Sequence, residues 1–410
     1  MSVKIETERA HLFDVSILIA MRVHIQGNVS ETDIKSAFEK AVNSHEVLQS
    51  HIVFDEDSAA YYEKNDTSDA VQNNRIYFEN SDWKSIIKRE EKTRFRLEEG
   101  EFLKAFCYEK QADGFGVLFL MHHMGGDGLS LVYFIESFMK ALAGEEPEYR
   151  ELRTIPAGKM DKTDLRNRLG PSVLLTKRYN SKWNKDEAKQ GFTFEDSDQA
   201  YAAYWAERES VISEFVIKPE TVKHVLERCK EWNVHFTAYV IAAFLRRLGH
   251  KCEVGIAADA RLDHNRSMGN QATGITVKYS FNYDKSFKEN VQKVQELMDN
   301  KLEDDQAREF ILPFMAAFEP TLVDALNFEH AGTFSAKTSK SLANLLGYGK
   351  KTRELSITNL TKPDIPDTYG YLKIDFLSFV PPVVSNGRNI IGLSTLGNCT
   401  VMTLHRVIEA

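Results

Sequence analysis

The chain has 410 residues, of which 42% are hydrophobic and 27% charged, and its formal net charge is −8. This composition is typical of a globular protein with two or three compact units, and it excludes collagen-like, disordered and coiled-coil rod proteins. The acidic balance argues against a general nucleic-acid binder. Apolar runs such as Val117–Met121 are too short to cross a bilayer, and the N-terminus has no apolar signal-peptide region, so we expect a soluble, cytoplasmic protein.

The first 143 residues predict strands that alternate with helices. The predicted strands are Ser16–Gln26, Gln49–Asp55, Phe102–Glu109 and Gly114–Met121. Ser30–Asp33 is a capping-box pattern that predicts the start of a helix. Glu56–Asn74 is polar and is expected to be a loop. Leu129–Ala143 is apolar on most sides, which indicates a buried helix.

The next segment changes character and contains no clear strand. Lys159–Lys189 holds nine Lys or Arg residues and four Asp or Glu residues. A solvated surface helix explains such a charge run, and a landing patch for a phosphorylated donor is the alternative. We therefore divide the chain into an N-terminal lobe (1–160), a crossover segment (161–205) and a C-terminal lobe (206–410).

The second half repeats the style of the first. The predicted strands are Ile212–Ile217, Glu253–Ala258, Gly274–Tyr283, Leu355–Asn359, Leu372–Phe379, Asn389–Thr395 and Thr400–His405. The predicted helices are Pro219–Asn233, Thr237–Leu248 and Phe287–Leu302. Strands separated by helices in two halves of similar size predict an α/β protein with two related lobes.

One segment has a clear chemical signature. Two adjacent histidines, His122 and His123, stand at the end of the apolar strand, and the glycine-rich turn Met124–Gly128 follows. A neutral imidazole there can accept a proton near pH 7, and backbone N–H groups at a helix start can stabilise an oxyanion. Adjacent strand residues point to opposite faces, so one histidine is expected to pack inside. Considered by itself, Asp127 is typical of a helix N-cap. The spacing of His122 and His123 does not favour a metal site.

The run HHMGGDG resembles HHxxxDG, the signature of an acyltransferase superfamily that includes chloramphenicol acetyltransferase, peptide-synthetase condensation domains and alcohol acetyltransferases. Weaker similarities span most of the chain. They are Ala37–Ile52, Phe95–Leu103, Asp259–Arg261, Ser356–Leu360 and Leu393–Gly397. The DFG-type segment that is usual late in condensation domains has no counterpart, since Ser385–Arg388 reads Ser-Asn-Gly-Arg. The departure favours a stand-alone enzyme over an excised synthetase domain.

The resemblance implies a fold and a set of roles. The fold would be α/β, with two chloramphenicol acetyltransferase-like lobes, each a mixed sheet flanked by helices, in a V with a tunnel between them. His123 would be the general base and His122 would support the fold. Asp127 would form a salt bridge with Arg261, and Gly128 would place its backbone near the thioester oxygen.

The resemblance also suggests residues that touch substrate, namely Gly126, Asn359 and Thr395. Asn359 has an ordinary alternative, since an Asn at a strand end often caps a turn. Gly347–Thr352 looks like a phosphate loop, but the spacing of that motif fails.

The predicted function is transfer of an acyl group from a thioester to a hydroxyl or amine acceptor. No cofactor or metal would be bound permanently, and acyl-coenzyme A or a phosphopantetheine thioester would be the co-substrate. The expected partners are a small-molecule acceptor and, where the donor is tethered, an acyl or peptidyl carrier protein. We expect a monomer without nucleic acid or a membrane span. The alternative is a non-catalytic relative that binds a carrier or partner.

Overall fold

The computed structural model describes residues 2–65, 70–111, 113–158, 162–261, 265–350, 353–361, 363–385 and 387–410. The strands are β1 Val3–Lys4, β2 Leu18–Gln26, β3 Ser50–Phe54, β4 Ala60–Lys64, β5 Arg75–Phe78, β6 Leu103–Tyr108, β7 Gly114–His122, β8 Arg208–Ile217, β9 Cys252–Asp259, β10 Ala272–Tyr279, β11 Leu355–Thr361, β12 Thr368–Tyr369, β13 Leu372–Val380, β14 Ile390–Leu396 and β15 Cys399–Glu409. The helices are α1 Glu31–Asn43, α2 Ala70–Asn73, α3 Trp83–Glu90, α4 Gly128–Leu142, α5 Lys162–Leu169, α6 Ser172–Trp183, α7 Phe194–Ala206, α8 Pro219–Trp232, α9 Phe236–Leu248, α10 Phe287–Leu302, α11 Asp305–Glu309, α12 Ile311–Ala316, α13 Pro320–Ala331 and α14 Lys337–Leu346. None of these helices, within the ranges given, is long and apolar enough to span a membrane.

Two six-stranded sheets dominate the architecture. The first has the order β12-β13-β2-β7-β6-β5 and the second the order β10-β9-β11-β14-β15-β8. Both are mixed, because β5 runs parallel to β6, and β11 runs parallel to β9 and β14. Three further strands form a small separate sheet in the order β1-β4-β3. The predicted class, two mixed sheets flanked by helices, is confirmed, while the V shape and the tunnel remain predictions.

Burial of the first sheet explains how the chain positions the histidines. All nine residues of β7 are buried. On one face of this strand the ring of Phe119 meets those of Phe134 and Phe138 from α4, with centroids 5.7 and 5.5 Å apart. Phe38 of α1 meets Phe134 edge-on at 5.7 Å. This aromatic packing fixes the strand–turn–helix unit that holds the motif.

Two parts of the sequence prediction need correction. The loop predicted over Glu56–Asn74 contains β4, which pairs with β3 and buries Tyr62 to 1% exposure. The alternation of Ala60 and Tyr62 is a short strand signal that the surrounding polar residues obscured. The sequence analysis also assigned no helix to α3 or to the run α11–α14. The basic stretch after residue 161 is helical, with Trp183 fully buried, and Lys159 lies outside the described residues.

One strand connects the two sheets. β13 comes late in the chain but pairs antiparallel with β2 in the first sheet. It also packs beside the second sheet, since the hydroxyls of Ser394 and Thr403 donate to the carbonyl oxygens of Leu377 and Phe379, at 2.6 and 2.5 Å. A Cβ at Gly392 would lie 2.3 Å from the Phe379 oxygen, so only glycine permits this approach. The predicted lobe boundaries, 1–160, 161–205 and 206–410, stay predictions.

Candidate active site

The motif lies where β7 turns into α4. His122 ends the strand, His123–Gly125 form one 3-10 turn, and Asp127 caps α4. His122 is 3% exposed and its Nδ1 accepts the N–H of Met124 at 3.2 Å, whereas His123 is partly exposed. Gly126 has φ +146°, and a Cβ there would lie 2.5 Å from the Cβ of Ser130. The turn therefore needs glycine at this position, and it leaves one of the two histidines available.

Asp127 joins both halves of the protein. Its Oδ1 accepts the backbone N–H of Ser130 at 2.9 Å and a guanidinium N–H of Arg261 at 2.7 Å. Its Oδ2 accepts the backbone N–H of Gln271 at 2.9 Å. The Asp127 and Arg261 side chains are 4% and 2% exposed. Asp127 is thus both the N-cap and one half of a buried ion pair, the two roles that the sequence analysis had named.

The β9–β10 connection supplies the partner groups. Arg261 Nη2 also donates to the hydroxyl of Ser130 at 3.0 Å, and that hydroxyl donates to the carbonyl oxygen of Gly269 at 3.0 Å. Arg261 Nη1 contacts Asp259 at 3.0 Å. The first turn of α4 is therefore held directly against this connection of the second sheet.

Burial controls the protonation of the histidines. Burial lowers the pKa of His123, against the opposing pull of the Asp127 carboxylate. Burial, reinforced by the neighbouring His123, lowers the pKa of His122 to about 3. Burial also opposes ionisation of Asp127, but the Arg261 guanidinium outweighs it and holds the pKa of Asp127 below its usual value. At neutral pH the site therefore contains neutral imidazoles beside a closed ion pair.

His11 is a site residue that the sequence analysis missed. Its ring stacks on His123, with centroids 4.8 Å apart and an angle of 18° between the planes. Burial first, and then His123 and His122, lower the pKa of His11 well below its usual value. His11 ends a 3-10 turn that is anchored by Arg9, which forms a buried bidentate pair with Asp324. No local pattern marks His11, because its contact with His123 spans more than a hundred residues.

Glu8 is the second residue missed. It is 2% exposed, and its Oε2 accepts the hydroxyl of Tyr62 at 2.6 Å. The same hydroxyl lies 2.9 Å from the carbonyl oxygen of Met124 in the motif turn. Burial raises the pKa of Glu8 to about 8, the Tyr62 hydroxyl opposes this, and the Asp127 charge adds to it. At neutral pH the Glu8 carboxyl group is therefore mostly protonated, and it contacts the motif turn through the Tyr62 hydroxyl.

The remaining predicted contact residues divide into two groups. Gly128 lies beside β11 and β13, since a Cβ there would be 3.1 Å from both Leu360 Cδ1 and Phe379 Cζ. Asn359 donates to the hydroxyl of Thr237 at 2.8 Å. Thr395 lies 2.9 Å from the hydroxyl of Thr400. The structure thus gathers Gly126 and Gly128 at the motif, and gives Asn359 and Thr395 hydrogen-bond partners on α9 and β15.

Among the residues that the structure describes, no three His, Cys, Asp or Glu side chains are grouped so as to hold a metal ion.

The fold is similar to that of peptide-synthetase condensation domains and of an acetyltransferase with a solved structure, so the predicted resemblance is confirmed. Residues 13–154, which include the motif, match the family model of the Condensation domain. The search of curated proteins found no match.

Solved structures with the same fold span nearly the whole chain. The first condensation domain of the CDA synthetase is 14% identical, with a TM-score of 0.62 over 98% of this chain and 87% of that one. The trichothecene 15-O-acetyltransferase TRI3 from Fusarium sporotrichioides is 11% identical, with a TM-score of 0.62 over 99% of this chain and 90% of that one. SgcC5 from Streptomyces globisporus is 11% identical, with a TM-score of 0.58 over 98% and 92%. At these identities the likeness shows the shared fold.

Proposed function

We propose that this protein is an acyltransferase that moves an acyl group from a thioester donor to a hydroxyl or amine acceptor. The observation that carries the proposal is the pairing of a partly exposed, neutral His123 with the N-terminus of a buried helix. The condensation-type fold supports acyl transfer as the general chemistry. TRI3, a trichothecene 15-O-acetyltransferase, has the same fold. The donor is proposed to be acyl-coenzyme A or an acylated carrier protein.

His123 would accept one proton from the acceptor and later donate it to the leaving group. Its Nδ1 is buried and makes no hydrogen bond to another residue, which leaves Nε2 as the nitrogen for substrate. Nε2 removes the proton of the acceptor O–H or N–H as that atom attacks the thioester carbonyl carbon. The tetrahedral intermediate then collapses, the C–S bond breaks, and the leaving thiolate takes the proton from the imidazolium. Proton and electron pairs balance without a covalent acyl-enzyme.

The start of α4 would stabilise the oxyanion of that intermediate. The Ser130 N–H is used by Asp127, whereas the amides of Gly128 and Leu129 are helix-start donors without an intrahelical acceptor. Positive helix ends stabilise such a charge, and Asp127 paired with Arg261 keeps the turn in place. Asp127 is proposed to position the site, and His122 to support the turn through Met124.

The test is thiol release from a panel of acyl-coenzyme A and acyl-carrier donors, with mixed alcohol and amine acceptors. Replacing His123 by Ala should lower the acceptor-dependent rate by about 10²–10⁴. His224→Ala is a matched control, because this histidine is exposed on α8. A rate that survives His123→Ala would contradict the proposed base. No release from any donor would favour the alternative, a non-catalytic relative that binds a carrier.

A further inference from the structure

A cavity of about 290 Å³ lies beside α4 and is lined by Arg150, Arg153 and Arg266. We refer to these three residues as the arginine cluster. Arg150 follows α4, while Arg266 belongs to the β9–β10 connection that also supplies Arg261. The cavity therefore lies at the same junction of the two sheets as the motif.

Cations outnumber carboxylates around the buried Glu136. Glu136 Oε2 receives both Arg150 Nη2 and Arg266 Nη2 at 3.1 Å. Lys140 lies 3.6 Å from the other oxygen of Glu136. One buried carboxylate thus faces three cations. Arg150 also contacts Glu148, and Arg153 contacts Glu151, but both contacts are screened because Glu148, Glu151 and Arg153 are 67%, 62% and 56% exposed.

The guanidinium groups of Arg150 and Arg266 are held in place before any ligand arrives. The backbone N–H of Arg153 donates to the carbonyl oxygen of Met268 at 3.0 Å, which ties its segment to that of Arg266. Arg266 and Arg150 stack over the ring of Tyr133, with their guanidinium carbons 4.9 and 5.9 Å from its centre. The buried Nε groups of Arg150 and Arg266 have no hydrogen-bond partner. Fixed guanidinium forks of this kind suit a phosphate group.

The position of the cluster suggests what carries that phosphate. Glu136 follows the Asp127 N-cap by nine residues, which is roughly 13 Å along the axis of α4. An extended pantetheine arm separates its sulfur from its phosphate by a distance of this order. A thioester beside His123 would therefore bring the outer end of the arm to the arginine cluster.

We propose that the arginine cluster binds the phosphate at the outer end of the donor's pantetheine arm. The inference rests on the proposed thioester donor. Coenzyme A and a carrier protein both contain this phosphate, so the site would serve either source. The basic stretch Lys159–Lys189, the landing patch considered from the sequence, would then be a solvated helical surface.

The test compares phosphopantetheine with pantetheine, which lacks the phosphate, as ligands in titration calorimetry. The wild type should bind phosphopantetheine about tenfold to a hundredfold more tightly, as expected for charge-assisted hydrogen bonds. The double variant Arg153→Ala with Arg266→Ala should abolish the difference, while Arg150 and Lys140 still neutralise Glu136. Arg178→Ala is the matched control, because this residue is exposed on α6 within the basic stretch.

Equal binding of the two ligands, no binding of phosphopantetheine, or loss of discrimination in Arg178→Ala would overturn the inference. The same variants are then used in the thiol-release assay, with acyl-coenzyme A, acyl-carrier and acyl-pantetheine donors. A cluster effect on KM with kcat preserved supports the site, and the donor that is turned over identifies the source. Binding without turnover would contradict the proposed function alone, and turnover insensitive to phosphate would contradict the inference alone.

Discussion

The two buried carboxylates of α4 differ in how their charges are balanced. Asp127, at the first turn, accepts hydrogen bonds on both oxygens and faces one arginine, Arg261, which also donates to Ser130 and Asp259. Glu136, farther along the same helix, is shared by Arg150, Arg266 and Lys140. The first arrangement closes a contact between two sheets, and the second leaves positive charge that an anion can complete. The same helix thus contains a balanced ion pair at its first turn and an excess of positive charge around Glu136.

The largest expected effect is a loss of stability when the Asp127–Arg261 ion pair is broken. Asp127→Ala leaves the buried Arg261 with only the exposed Asp259 as an ionic partner, and should lower the free energy of unfolding by about 3–5 kcal/mol. Urea unfolding at neutral pH measures the loss. The double variant Asp127→Ala with Arg261→Met removes both charges and should be less destabilised than Asp127→Ala. If the single and double variants lose the same stability, the pair is not what holds the sheets together.

Glu8 extends the comparison to a carboxyl that is buried beside Asp127. Since burial raises the pKa of Glu8 to about 8 from 4.5, its contribution to stability is present below pH 4.5 and is lost as pH rises towards 8. From about pH 5 to about pH 7 the loss is roughly 3 kcal/mol, which Glu8→Gln should remove from the pH profile of unfolding. Glu63→Gln, exposed on β4, is the control. An unchanged profile in Glu8→Gln would contradict the shifted pKa.

Glu136 should respond to anions in a way that Asp127 does not. Glu136→Gln removes a buried charge that three cations share, with an expected destabilisation of about 1–3 kcal/mol. Millimolar pyrophosphate should restore part of the melting temperature of this variant, and none of that of Asp127→Ala. Equal recovery of both variants would indicate non-specific anion effects.

The smallest expected effect is on the catalytic rate, and it concerns His11, whose ring stacks on that of His123. His11→Ala removes the stacked ring and admits water, which reduces the burial that lowers the pKa of His123. The acid limb of the kcat/KM profile should therefore move to higher pH, and kcat should fall about tenfold, or about 1.4 kcal/mol. His11→Phe keeps a stacked ring and should retain most of the rate. A similar loss in both variants would mean that the stack does not position His123.

The sequence predicted the parts of the fold that depend on strong local patterns. The apolar strand before the histidines and the buried helix after them are both present, because a continuous apolar run and a helix that is apolar on most sides leave few alternatives. The pairing of Asp127 with Arg261 was expected from the family resemblance, not from spacing. His11 and Glu8 could not be found, since their partners lie far away in the chain. The arginine cluster could not be predicted either, because its members are far apart in the chain. The landing patch for a phosphorylated donor was considered instead at the local charge run Lys159–Lys189.

The position of β13 has a consequence for how the protein is made. Residues 372–380 lie between β12 and β2 in the first sheet, and the ribosome synthesises them more than 300 residues after β2. Until then β2 has an unpaired edge, and such edges invite wrong pairing and aggregation. The nascent N-terminal half therefore stays partly folded until β13 has been synthesised. A ribosome stalled before residue 372 should hold a chain that chaperones bind, and one stalled well beyond residue 380 should not.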